Sequence, residues 1–175
     1  MSSDDEAVYV AIGSNIDPGA NIVKALDLLA LEAPIMAMSV FYETPALDRP
    51  SHPPFINGVC RVRTTADPRS LQFNVLHEIE DRLGRVRGED AFGPRVIDLD
   101  LIIYGGRVIN DGDFRLPDPD IPDRPFLSVP LFELDPEIVL PDTGQSLRSA
   151  CPTVPPGVLK ALPQFTAELK ERFLK

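Results

Sequence analysis

The order in which two hydrophobic periodicities alternate along the chain constrains its fold most strongly. Short runs rich in β-branched and aromatic residues predict four strands, at 8–13, 36–42, 55–64 and 96–104. Apolar residues at helical spacing predict a helix after the first strand and another after the third, at 20–31 and 67–83. The order β-α-β-β-α-β is typical of a ferredoxin-like α+β sandwich, in which two helices pack on one face of an antiparallel sheet.

The remaining sequence predicts long loops and short elements. Prolines make 44–54 and 110–125 loop-like, and Gly105-Gly106 predicts a hairpin whose return strand, 107–109, lies beside the fourth strand. A short apolar helix or turn is predicted at 126–134. The C-terminal extension, 150–175, contains FTAELKERFLK, which is either a helix packed on the domain or an exposed end. Because composition does not break anywhere, we expect one domain over residues 1–175.

Composition and charge restrict the classes of function. A net charge of -10 argues against general nucleic-acid binding, which needs a basic surface to meet phosphates. The two cysteines are far apart and form no disulfide framework or zinc motif. The first residues are acidic rather than typical of a signal peptide, and no apolar run approaches the roughly 20 residues of a membrane span. We therefore expect a cytoplasmic protein without a membrane or nucleic-acid partner. We also expect a monomer.

Two carboxylates interrupt the apolar run VIDLDLII. Asp98 and Asp100 are two residues apart, so on a strand they share one face at a separation of roughly 6.6 Å along the chain. Leu99 and Leu101 then face the core. Two carboxylates combined with phosphate oxygens and water suit Mg²⁺. The alternative is a solvent-exposed face that carries two ordinary acids.

Three arginines flank this strand on its N-terminal side. Arg85, Arg87 and Arg95 beside acidic metal ligands are what phosphoryl transfer requires, because guanidinium groups stabilise the developing negative charge. The alternative is that they form surface salt bridges with Glu89 and Asp90. The chain has no GxxxxGK[ST] loop, so a nucleotide would not be held in a Walker-type cradle.

Aromatic and amide side chains suggest a site for a flat heterocycle. Phe55 and Asn57 share one strand face, and Phe126 follows Arg124 as a candidate second ring. The alternative is that Phe55 belongs to the core. A histidine such as His77, which has no partner at metal-ligand spacing, is by itself more typical of a protein surface.

Four segments resemble the 6-hydroxymethyl-7,8-dihydropterin pyrophosphokinase family of folate biosynthesis. They are AIGSN, then FYETPAL with FIN, then EIEDRLGRVR leading into FGPRVIDLDLIIYG, and finally LPDPDIPDRPFLSVPLFEL. They stand in the family's order over about residues 8–141, and the third block is the most specific.

The resemblance implies an ATP-dependent diphosphotransferase that moves the terminal pyrophosphate of ATP to the pterin's hydroxymethyl group and leaves AMP. It implies two Mg²⁺ ions held by Asp98 and Asp100, with Arg85 and Arg95 as catalytic arginines. The implied pterin-binding residues are Thr44, Pro45, Leu47, Phe55, Asn57 and Phe126. The implied ATP-binding residues are His77, Glu80, Arg87, Phe92, Leu101, Asp118 and Arg124.

One departure from the family pattern affects a residue expected to lie near the phosphates of ATP. Asp118 stands where the family usually has a histidine that contacts ATP, so a carboxylate replaces a neutral or cationic donor. Repulsion should then weaken ATP binding unless Asp118 turns away or binds a metal. Two alternatives therefore stay open: a relative that acts on another pterin, and a non-catalytic module that binds a pterin or nucleotide.

Overall fold

The computed structural model describes residues 6–46, 51–88, 93–151 and 153–175. The strands are β1 (Val8–Ser14), β2 (Ile35–Met38), β3 (Tyr42–Thr44), β4 (Phe55–Val62), β5 (Asp98–Tyr104), β6 (Ile109–Asp111), β7 (Phe114–Leu116) and β8 (Lys160–Ala161). The α-helices are α1 (Pro18–Glu32), α2 (Pro68–Ser70), α3 (His77–Arg82), α4 (Pro125–Leu134), α5 (Leu147–Ala150) and α6 (Pro163–Phe173). A π-helical stretch, Leu71–Leu76, joins α2 to α3.

The main sheet is antiparallel throughout. Its strands lie in the order β5-β1-β4-β3-β8, and β2 also pairs with β4. Strand β1 is central, so Gly13 lies opposite Asn57 of β4 on one side and Asp98 of β5 on the other. The sequence prediction of an antiparallel sheet combined with helices is confirmed.

One face of the sheet carries the larger core. Alternate residues of β1, including Val10 and Ile12, join buried leucines of α1 and β5 in one cluster, represented by Leu26, Leu29 and Leu99. Removing these side chains from water supplies the main driving force for packing the helices on this face. The prediction that Leu99 and Leu101 face the core is confirmed, since both belong to this cluster.

The opposite face is covered only in part. Tyr9, Val59 and Ile103 pack there against Leu127 and Leu131 of α4. The sequence predicted helices on one face only, because the short pattern at 126–134 did not reveal where α4 would dock. Helix α4 covers one end of the strands and leaves a cavity at the other.

The predicted second strand is in fact two strands. Met38 pairs with Cys60 and Tyr42 pairs with Asn57, so this segment advances one residue more than β4 over the same distance. Ser39 fills the irregular position, where its N–H donates to the Val59 carbonyl at 2.9 Å and its hydroxyl accepts from the Val59 N–H at 2.9 Å. This extra residue interrupts the ladder in the manner of a β-bulge.

The predicted return of 107–109 beside the fourth strand is wrong. The chain turns after Tyr104, but β6 pairs with β7 in a separate two-stranded sheet, with a turn at Gly112 (φ +60°). The backbone N–H of Asp118 donates to the Ile102 carbonyl at 2.8 Å, so a later segment occupies the free side of β5. Residues 110–125 are therefore not all loop.

Both longer helical predictions are confirmed, with small shifts at their ends. The second helical segment begins after Asp67, whose carboxylate accepts the Ser70 N–H at 3.0 Å, and it ends at Arg82, shortly before Gly84, which has φ +86°. Helix α6 in the extension packs on the domain, because Leu169 is buried in the larger core. Among the residues that the structure describes, no helix has both the length and the apolar character needed to cross a membrane.

Candidate active site

A cavity of about 260 Å³ lies on the sheet face beyond α4. It brings together most of the residues singled out from the sequence, although they are spread over 83 positions of chain between Thr44 and Phe126. The candidates that line it are Thr44, Pro45, Phe55, Asn57, Arg95, Asp98, Asp100, Asp118, Arg124 and Phe126. The sheet thus gathers the described pterin candidates and both aspartates of β5 around one opening, whereas only Asp118 and Arg124 of the described ATP candidates line it.

The floor of the cavity on the aromatic side is formed by β1 and β4. Phe55 is half-buried and lines the cavity rather than sitting in the core. The Asn57 amide donates to the Thr44 hydroxyl at 2.7 Å, which fixes the orientation of both groups. Gly13 lies opposite, and a Cβ there would come within 2.6 Å of the Asn57 side-chain oxygen. Only glycine therefore leaves room for this amide.

Asp98 lies at the start of β5 between two arginines. One carboxylate oxygen accepts from Arg85 at 2.8 Å, and the other accepts from Arg95 at 2.7 Å. The predicted catalytic arginines and the first predicted metal ligand thus form one ion-pair cluster. The side chains of Arg85 and Arg95 are 15% and 25% exposed, so solvent screens these pairs only in part.

Asp100 lies deeper on the same strand face. Burial, followed by the nearby carboxylates of Asp98, Glu80 and Asp118, holds the pKa of Asp100 well above its usual range. Burial also raises the pKa of Asp118, although the bond that its carboxylate accepts from the Asp120 N–H at 2.8 Å acts in the opposite direction. Several carboxylates thus face a poorly solvated space, which favours protons or cations there.

Glu80 of α3 supports the arginines from behind the site. Its side chain is fully buried and accepts the Leu99 N–H at 2.8 Å, together with bonds from Arg85 and Arg87. Burial raises the pKa of Glu80, while these partners lower it. Arg87 also pairs with Asp81 on the helix surface. The arginines therefore pair with α3 and β5, whereas Glu89 and Asp90 lie outside the described residues.

The remaining nucleotide candidates occupy different positions. His77 packs edge-on against Phe73, and burial and the nearby Arg87 and Arg85 lower its pKa. Leu101 is 4% exposed within the larger core, and its N–H donates to Gln72 at 2.8 Å. Neither lines the cavity. Leu47 and Phe92 lie outside the residues that the structure describes.

Asn15, in the AIGSN segment, had no predicted role, yet it contacts the backbone of Arg95, which lines the cavity. It is 3% exposed, its side-chain oxygen accepts the Arg95 N–H at 2.7 Å, and its own N–H donates to the Arg95 carbonyl at 3.1 Å. Its amide also donates to the Pro53 carbonyl at 3.2 Å. The signal that the sequence offered for Asn15 was its place directly after the first strand, in AIGSN. Asp120, by contrast, lines the cavity, and it carried no sequence signal.

A family model described as 7,8-dihydro-6-hydroxymethylpterin-pyrophosphokinase matches residues 9–136. The 2-amino-4-hydroxy-6-hydroxymethyldihydropteridine pyrophosphokinase of Pseudomonas aeruginosa is 35% identical over 152 residues, which are 84% of this chain and 93% of that protein. The Synechocystis pyrophosphokinase is 38% identical over 79% of this chain and 71% of its own length. The folic acid synthesis protein fol1 of Pneumocystis carinii is 37% identical over 85% of this chain, which spans only 20% of that longer protein.

Solved structures of two-part proteins share the fold. The Plasmodium falciparum HPPK-DHPS structure with pteroate has a TM-score of 0.66 at 12% identity, covering 97% of this chain and 46% of that one. An HPPK-DHPS structure in complex with substrates has a TM-score of 0.63 at 12% identity, covering 97% and 45%. On the extent of the family match and the identity to its bacterial members, this chain belongs to the 7,8-dihydro-6-hydroxymethylpterin-pyrophosphokinase family.

Proposed function

We propose that this chain transfers the terminal pyrophosphate of ATP to the hydroxymethyl group of 6-hydroxymethyl-7,8-dihydropterin. The observation that carries the proposal is a cavity in which an aromatic and amide side faces an arginine and carboxylate side. Relatives at 35–38% identity are named as pyrophosphokinases of this pterin, which supports the same reaction here.

The aromatic side suits a flat bicyclic ring. Phe55 and Phe126 offer ring faces for stacking, while Asn57 and the Thr44–Pro45 backbone offer polar groups to the ring edge. The hydrogen bond between Asn57 and Thr44 orients the amide before the ligand arrives, so less ordering is left to binding. Leu47 completes this predicted subsite in the sequence.

The phosphate side would stabilise charge during the transfer. The pterin hydroxyl oxygen attacks the β-phosphorus of ATP, the bond from that phosphorus to the α-phosphate oxygen breaks, and AMP leaves. Arg85 and Arg95 would exchange part of their pairing with Asp98 for the negative charge on the phosphates. Glu80 and Asn15 would act as positioning residues, because they hold the Arg85 side chain and the Arg95 backbone.

The donor set fits Mg²⁺. Asp98 and Asp100 present carboxylates to the cavity, and the raised pKa of Asp100 reflects burial first and then repulsion from nearby carboxylates, which a cation would relieve. When bound, Mg²⁺ would supply charge neutralisation on the phosphate oxygens. Within the described ranges, no cluster of three or more His, Cys, Asp or Glu side chains is arranged as a metal site. ATP phosphates and water would therefore complete the coordination of two ions at Asp98 and Asp100.

The finer predictions on architecture and context remain proposals. The order β5-β1-β4, with β2 and β3 beyond it, supports a ferredoxin-like core. Packing of α6 against α1 supports a single domain that includes the extension. A cytoplasmic location and a monomeric state stay predictions.

A product assay tests the proposal. Purified protein would be mixed with ATP, Mg²⁺ and the dihydropterin, and the nucleotides separated. The comparison is between Asp98→Ala and a control, Asp142→Ala, which removes an exposed carboxylate outside the cavity. We expect AMP from wild type and the control and almost none from Asp98→Ala. Formation of ADP would indicate a simple kinase, and pterin binding without either product would indicate a non-catalytic module.

A further inference from the structure

The C-terminal extension takes part in the main sheet although it lies beyond the family match at residues 9–136. Strand β8 pairs antiparallel with β3, with Ala161 opposite Tyr42 and Lys160 opposite Glu43. Strand β3 has only three residues, and a strand this short has few hydrogen bonds with which to hold its own position. The extension therefore supplies the second neighbour of β3.

Thr166 of α6 makes the most specific contact with this region. Its hydroxyl accepts the Phe41 N–H at 2.9 Å and donates to the Leu162 carbonyl at 2.8 Å, and the residue is 4% exposed. The Leu162 N–H in turn donates to the Phe41 carbonyl at 2.9 Å. Both backbone groups of Phe41 are thus bonded to the extension, at the position just before β3.

Side-chain packing fixes the same residue. The Phe41 ring is fully buried and meets Phe165 of α6 edge-on at 5.9 Å between ring centroids. A Cβ on Gly58 of β4 would come within 2.7 Å of that ring. Phe41 is therefore confined between the sheet and α6, and small displacements of α6 would be transmitted to it.

The end of β3 forms part of the cavity. Thr44 and Pro45 line it, and the Thr44 hydroxyl accepts the Asn57 amide at 2.7 Å. Phe41 lies only three residues before Thr44. A shift of Phe41 would therefore move Thr44 through the three residues of β3. The backbone groups that would meet the pterin edge are thus placed by the segment that α6 holds.

We infer that segment 160–169, acting chiefly through the Thr166 hydroxyl, is a positioning element that holds β3 in the geometry needed to bind the pterin. The inference rests on the proposed function, because it assigns the Thr44 side of the cavity to the pterin. Thr166 itself does not line the cavity, so its influence passes through Phe41 and β3. The extension thereby sets pterin affinity without touching the ligand.

Substitution of Thr166 by valine tests the inference, because valine keeps the shape and removes the hydroxyl. Loss of one buried hydrogen bond lowers the fraction of molecules with β3 in place, and the apparent dissociation constant rises in proportion. We expect a measurably weaker affinity for 6-hydroxymethyl-7,8-dihydropterin, by at most about tenfold, measured calorimetrically at saturating α,β-methylene ATP. The affinity for the nucleotide analogue alone should change less than about twofold, since its predicted subsite lies on β5 and α3.

Two variants serve as controls. Thr166→Ser restores the hydroxyl and should recover most of the pterin affinity. Arg172→Ala removes the ion pair between α6 and Asp27 of α1 (2.9 Å) without touching β3, so it should leave pterin affinity unchanged. Unaltered pterin affinity in folded Thr166→Val would overturn the inference, as would equal weakening of pterin and nucleotide binding. If wild type itself binds no pterin, the proposed function fails instead.

Amide hydrogen exchange on wild type gives a second test that needs no substitution. Coupling between two sites is reciprocal, so pterin binding should slow exchange in the 160–169 region as well as in β3. Protection of β3 without any change in 160–169 would contradict the coupling. This readout remains decisive if Thr166→Val does not fold.

Discussion

Replacement of Glu80 tests how the site's arginines are positioned. Glu80 is fully buried in α3, accepts the Leu99 N–H at 2.8 Å and bonds to both Arg85 and Arg87. Its raised pKa, caused first by burial, indicates that the negative charge itself adds little to stability. What stabilises the fold is the presence of an acceptor at this position. Glu80→Ala and Glu80→Gln should therefore differ.

The expected loss in the free energy of unfolding depends on which hydrogen-bond partners of Glu80 each variant leaves unpaired. In Glu80→Ala the buried Leu99 N–H loses its acceptor, at about 1–3 kcal/mol, and the deleted side chain leaves a small cavity at about 1 kcal/mol more. Arg85 keeps its bond to Asp98, so we expect a total loss of about 3 kcal/mol in the free energy of unfolding. Glu80→Gln keeps the acceptor for Leu99 and should lose about 1 kcal/mol.

Urea unfolding and steady-state kinetics measure the two effects. Glu78→Ala is the matched control, because Glu78 lies on the same helix in an exposed pair with Arg82 that is worth about 0.3–0.5 kcal/mol. We expect Glu80→Ala to reduce kcat by about tenfold to a hundredfold through misplacement of Arg85. The reasoning is refuted if Glu80→Ala is no less stable than Glu78→Ala, or if its kcat equals that of wild type.

Three further outcomes are expected. Asp118→His removes a carboxylate from the cavity and should tighten ATP binding about fivefold, from about 1 kcal/mol of relieved repulsion; calorimetry showing unchanged affinity would contradict this. Gly58→Ala should lower the free energy of unfolding by about 1–3 kcal/mol through collision with the Phe41 ring, and urea denaturation equal to wild type would refute the clash. Burial and Asp135 raise the pKa of Tyr9 to about 12 from its ordinary 10.0. The unfolded state therefore loses this proton first, so stability should fall between pH 10 and 12, by up to about 2 kcal/mol more than in Tyr9→Phe; equal slopes would exclude Tyr9 as the cause.

The local hydrophobic pattern was sufficient to predict the main strands and helices and to identify residues that share one face of a strand. Asp98, Leu99 and Asp100 alternate, so the period of two already places both carboxylates on one face and Leu99 in the core. The same reasoning placed Phe55 and Asn57 together. These predictions succeeded because they depend only on residues within a few positions of one another.

Long-range pairing decided what the local pattern could not. The hairpin expected at Gly105-Gly106 failed because Asp118, from later in the chain, bonds beside β5 in place of the return strand. The predicted second strand divides into β2 and β3 because of its register with β4. No local feature of 36–42 specifies that register.

The sequence by itself determined the order of strands and helices, the paired carboxylates of β5 and the family to which the chain belongs. The tertiary structure decided that Glu80 holds the arginines from inside, that Asn15 fixes the Arg95 backbone, and that Thr166 holds the strand leading to Thr44. The physical reason is separation along the chain: side-chain direction follows from local backbone geometry, whereas a buried hydrogen bond between distant residues exists only once the whole core has packed.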